Sequence, residues 1–168
     1  MPTTKHTAHH AGQTFMRSSK SRLYSHVVLV RPCYDHALQI AQTPYPSYES
    51  NFRHHRAYLD GTSEFLARKP WENDDATFEA RVQKDIDRAT AALHGAETVE
   101  EYAAGLVARA IAAVEERRAA GEYDKFGPHG WTSRKELAEQ QAATCRSKPV
   151  WAEVVIVEAQ HGSREIAA

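Results

Sequence analysis

Two stretches of this chain share one pattern: YSHVVLVR at residues 24–31 and WAEVVIVE at residues 151–158. Each opens on an aromatic residue, runs through four consecutive apolar residues and closes on a charge. Successive side chains of a β-strand point to opposite faces, so such a run is apolar on both. It needs cover above and below. Strands are therefore predicted over 23–31 and 150–158, side by side in one small sheet. Pro32 ends the first, because it has no ladder donor. His26 and Arg31 mark the ends of one run, Glu153 and Glu158 those of the other. Those opposite charges suit parallel or antiparallel pairing alike. Duplication of one unit and convergence on the few β-branched letters both account for the likeness.

The residues between the runs read as helix. A short helix is expected in CYDHALQIAQT, and a weaker helical stretch over 48–69, with an end at Asp60-Gly61. The clearest element is an αα-hairpin at about 75–94 and 99–120. Asp74 or Asp75 caps its first helix, whose stripe is Phe78, Val82, Ile86, Ala89 and Leu93. Gly95 stops it. Thr98 and Glu101 form a capping box for the second helix, with the stripe Val99, Tyr102, Ala103, Leu106, Ala110, Ile111 and Val114. The many alanines suggest a close approach of these two helices. Residues 122–131 read as an ordered loop or a short extended segment, and Thr132 or Ser133 as the cap of the last helix, Ser133 forming a capping box with Glu136. The expected fold is α+β and helix-dominated. A single domain spans 22–160, with a helical insert at 48–120 and a flexible tail at 161–168.

Charge divides the chain. The net charge is −1, yet the first acid is Asp35, preceded by Lys5, Arg17, Lys20, Arg22 and Arg31. The remainder carries sixteen basic against twenty-two acidic residues. Residues 1–21, rich in Ser, Thr and His, are expected to be a disordered basic arm. His6, His9 and His10 in a flexible arm are at most adventitious metal ligands, so no metal and no cofactor is expected. Two cysteines, Cys33 and Cys145, make no disulfide framework. The first twenty residues lack the apolar run of a secretory signal, and the expectation is a reduced, cytoplasmic protein with no membrane partner.

The segments YSHVVLVRP, GWTSRKELAEQQA and AEVVIVE resemble small uncharacterised proteins encoded by phages and integrated elements. Those proteins have a Tyr-Thr-His-Val-Val-like strand, a Gly-Trp turn, an Arg-x-x-Leu-Ala helix and a closing Glu-Val-x-x-Val strand. The matching residues are 24–30, Gly130, Trp131, Arg134, Leu137, Ala138 and 153–158, with no counterpart for 33–125. The resemblance implies no activity.

Searches for a phosphate loop, a dinucleotide fingerprint, a nucleophile elbow and a zinc-protease motif find none. A lone His161-Gly162-Ser163 has no second copy of the kind that two-histidine phosphoesterases require. The expected function is thus a non-enzymatic, protein-binding accessory protein of a phage or mobile element, acting on a host or phage protein. Its candidate contact residues are Tyr123, Phe126, His129, Trp131 and Arg134, where aromatics and cations concentrate. The same aromatics would equally serve to plug the core. The alternative is weak, non-specific nucleic-acid binding through Lys5, Arg17, Lys20 and Arg22.

Overall fold

The computed structural model describes residues 3–162. It has an α+β fold, with five helices and six strands in two three-stranded antiparallel sheets among the described residues. None of the described helices is long and apolar enough to cross a membrane. The chain divides into two compact units, Ile40–Ala113 and the residues on either side of it.

The strands are β1 (Thr4–His10), β2 (Gln13–Ser19), β3 (His26–Pro32), β4 (Gly127–Thr132), β5 (Trp151–Glu158) and β6 (Gln160–His161). The two Val-rich runs lie side by side, as β3 and β5. Pairing is antiparallel, with Val27 opposite Val157 and Val30 opposite Val154. This register sets Arg31 opposite Glu153, 3.1 Å apart, and His26 opposite Glu158. β3 is central, in the order β4-β3-β5. Val27, Val28 and Leu29 are fully buried and Val30 nearly so. Each such burial contributes about 1.5–3 kcal/mol.

The two faces of β3 have different covers. Val28 and Val30 pack with Ala138, Ala142 and Cys145 of α5 (Lys135–Arg146). Val27 and Leu29 pack with Ala8 of β1, Phe15 of β2 and Phe126. The expected disordered arm is therefore corrected: most of residues 1–21 form a hairpin that closes the second face of the sheet. Ala11 and Gly12 make its two-residue turn, with φ of 47° and 74°. Two positive φ values match a turn that follows the strand twist. Only Ala8 and Phe15 are apolar among the inward positions, so the period-two pattern is faint. His6, also inward, is fully buried, and its ring meets Tyr24 edge to face at 5.2 Å. The tail expectation also changes: His161 ends β6, opposite His6, with their Nδ1 atoms 3.1 Å apart. Residues 163–168 lie outside the described residues.

The last helix starts without the expected box. Its N-cap is Arg134, and Thr132 Oγ donates to the Arg134 carbonyl at 3.0 Å. No side chain caps the first turn. Residues 122–131 are a 3₁₀ turn (Glu122–Asp124) followed by β4, the extended segment of the two expected readings.

The remaining helices are α1 (Tyr34–Ala41), α2 (Tyr48–Leu59), α3 (Asp75–Leu93) and α4 (Val99–Ala119). Asp74 caps α3, accepting from the Thr77 N–H at 2.7 Å. Thr98 and Glu101 exchange hydrogen bonds at 3.2 and 3.3 Å, which is the expected box of α4. The packing differs from expectation. α3 lies along α2, and it meets α4 only near the turn, where Leu93 and Tyr102 bury with Phe52. The alanines of α4 do not draw α3 close, and Ala110 of the expected stripe is exposed. Phe52 supplies an aromatic partner for Tyr102, at 5.7 Å, which alanine methyls cannot match in area.

Candidate protein-binding groove

Gly121, at φ 68°, ends α4 in a left-handed residue and turns the chain into the 3₁₀ segment. Tyr123 is buried there, edge to face with Tyr34 at 5.5 Å. Phe126 follows, buried against His10 at 4.6 Å. The Gln13 amide holds its backbone twice, accepting from the Phe126 N–H at 2.8 Å and donating to its carbonyl at 3.3 Å. The hairpin thus fixes the start of β4. A register shift then falls between Val28 and Leu29, which face Gly130 and Pro128. The extra residue is His129, and a bulge of this kind re-aims a side chain. Its ring sits 6.1 Å from Trp151, the first residue of β5.

These elements frame a groove of about 400 Å³. Val30, Pro32, Phe126, Pro128 and Trp151 give it an apolar floor. Arg117, Glu122, Lys125 and His129 form its rim. Arg117 donates to Glu122 at 2.7 Å, and that bond raises its pKa. Its charge is already spoken for. Lys125 has no ion pair among the described residues. Trp151 Nε1 is buried without an acceptor among them. Left so, a buried donor costs about 1–3 kcal/mol. The groove therefore offers an apolar seat and, among the described residues, a rim cation without an ion pair.

Of the five residues expected to contact a partner, Tyr123 and Phe126 are core, and only the Phe126 edge reaches the groove. Trp131 is half-buried, packs on the hairpin side of the sheet and faces Tyr24 at 6.3 Å. His129 and Arg134 are exposed, and Arg134 does not line the groove. Trp151 and Pro32 also line the groove, and sequence reasoning gave them no contact role. The available signal was Trp151 at the start of one strand and Pro32 at the end of the other, which antiparallel pairing brings opposite each other.

Two of the four cations of the alternative reading, Lys5 and Arg17, are set apart by the hairpin. His6 pairs with Arg17 and Lys5 with Ser18, so Lys5 and Arg17 lie on opposite faces of the hairpin. Arg17 stacks over Tyr24 at 4.7 Å. The histidines part in the same way, His6 and His10 inward and His9 outward, where His9 pairs with Thr14 at 3.0 Å. Among the described residues, no group of three or more His, Cys, Asp or Glu side chains is placed to hold a metal. Both cysteines are free thiols.

No family model, no curated protein and no solved structure matches this chain. Fold and groove together define a class, a small α+β protein with a shallow apolar groove at one end of its central sheet.

Proposed function

We propose that the protein is a non-enzymatic binding protein whose groove receives an extended segment of a partner protein. The open apolar groove carries this reading, because Val30, Pro32, Phe126, Pro128 and Trp151 offer an apolar side chain of a partner a place to bury. Lys125 at the rim favours a segment with an acidic residue beside an apolar one. The groove is open and its floor is aromatic and proline-rich, which suits a side chain laid across it more than an enclosed substrate. The likeness of the chain's two ends to phage-encoded proteins supports a host or phage factor as the partner.

Selection of displayed peptides against the full chain tests the proposal. Selected peptides are expected to combine an acid with an aromatic or branched apolar residue. Lys125→Glu should weaken them about tenfold, since a rim attraction becomes a repulsion. Trp151→Ala removes part of the apolar floor and should also weaken them. Peptides that bind both variants as tightly as the parent would overturn the groove as the site.

A further inference from the structure

A second set of polar groups lies in the helical unit, independent of the groove. Tyr45 is held between Pro44 and Pro46, which restrict its backbone, and its carbonyl accepts from the Tyr48 N–H at 3.0 Å. Its phenol oxygen accepts from Asn51 Nδ2 at 3.0 Å and lies 3.3 Å from the Tyr102 hydroxyl. Tyr102 is buried, and burial first, then Tyr45, pushes its pKa up to about 12. In that pair either hydroxyl can donate. The hydrogen bonds with Asn51 first, then with Tyr102, lower the pKa of Tyr45, and Tyr45 is more than one-third exposed.

A cavity of about 330 Å³ adjoins this pair, with Tyr102, Gly105, Arg109 and His94 in its lining. Arg109 acts electrostatically on both phenols. Its side chain has no ion pair and no hydrogen bond to another side chain among the described residues. Gly105 makes its position accessible, because a Cβ there would stand 3.2 Å from Arg109 Nη1. Two glutamates also line the cavity. Glu101 accepts from the N–H groups of Glu97 and Thr98, so the start of α4 compensates its charge. Glu97 is exposed and opposes a second negative charge on any ligand.

We infer that Arg109, with the Tyr45–Tyr102 pair beside it, forms a binding site for a singly charged oxyanion, a carboxylate or a phosphodiester. A guanidinium and a phenol O–H are the donors such a group needs. The cavity volume suits a small ligand or the end of a longer one.

Side-chain NMR of arginine-labelled full chain, titrated with acetate, dimethyl phosphate and inorganic phosphate at pH 8, tests this. The Arg109 Nε–H signal should shift and saturate with acetate or with dimethyl phosphate, and the stronger of the two identifies the source. Doubly charged inorganic phosphate should bind more weakly than that one. Arg109→Gln should abolish the saturable binding. Gly105→Ala separates binding from stability. Alanine favours the helix, yet its methyl displaces the guanidinium, so binding should fall while the melting temperature holds or rises. Absence of saturable binding by all three anions, or undiminished binding in Arg109→Gln, would overturn the site.

Discussion

The two faces of β3 are equally buried, yet their covers could hardly differ more in sequence. On one side stands α5, an amphipathic helix with Ala138, Ala142 and Cys145 at helical spacing. On the other stands a polar hairpin that contributes one alanine and one phenylalanine. A sheet that is apolar on both faces demands two covers, and the demand is legible in four consecutive apolar letters. The nature of each cover is not. A hairpin can seal a face with two apolar side chains when the other inward residues offer rings or aliphatic stems.

Polar substitutions on the two faces should break this comparison most severely. Val28→Asp addresses the α5 face and Leu29→Asp the hairpin face. Each leaves an unpaired buried carboxylate and should cost on the order of 3–5 kcal/mol in urea unfolding. A near-neutral Leu29→Asp beside a damaging Val28→Asp would mean that the hairpin covers nothing. Phe15→Ala asks the same from the cover's side. It should cost about 3 kcal/mol, at the lower edge for such truncations because the ring retains slight exposure.

Acid should sharpen the contrast between the sheet unit and the helical one. In the helical unit Glu72 is buried, bonded to Arg81 and accepting from the Lys69 N–H at 2.6 Å. The Arg81 bond first, then that N–H, lowers its pKa. A lowered carboxyl pKa stabilises the fold above the unfolded value, and that contribution is lost as pH falls through the folded one. Acid should therefore loosen residues 40–113 below the ordinary carboxylate range, as read by circular dichroism. Glu72→Gln should remove part of that pH dependence, and an unchanged acid profile would refute it. The smallest expected effect belongs to Arg31 and Glu153. Their pair is half-exposed, and a double-mutant cycle should return about 0.2–1 kcal/mol.

The legible parts of the fold were those with local chemistry. Asp74, Thr98 and Glu101 specify helix starts through their own backbone, and those caps form. Ser133 and Glu136 carry the same letters without forming one, because the N-cap is Arg134 and Ser133 stands one residue before it. The hairpin was hidden by composition: TKHTAHH and QTFMRSS look like a solvated tail, and Ala-Gly is a weaker turn signal than Asn-Gly. The groove was hidden by topology. Trp151 and Pro32 stand 119 positions apart in sequence, and only the register of β5 on β3 brings them together. Phe126 and Tyr123 drew attention as aromatics, but an aromatic count does not distinguish a core plug from a contact surface.

Hydrogen exchange on the intact chain tests the hairpin's structural role most directly. β1 is the central strand of its sheet, paired along its length with β2 and at His6 and Thr7 with β6. Its amides should be protected to a degree comparable with those of β3, and Leu29→Asp should weaken both together. Exchange of residues 4–10 at the rate of an unstructured peptide, with β3 still protected, would contradict the account.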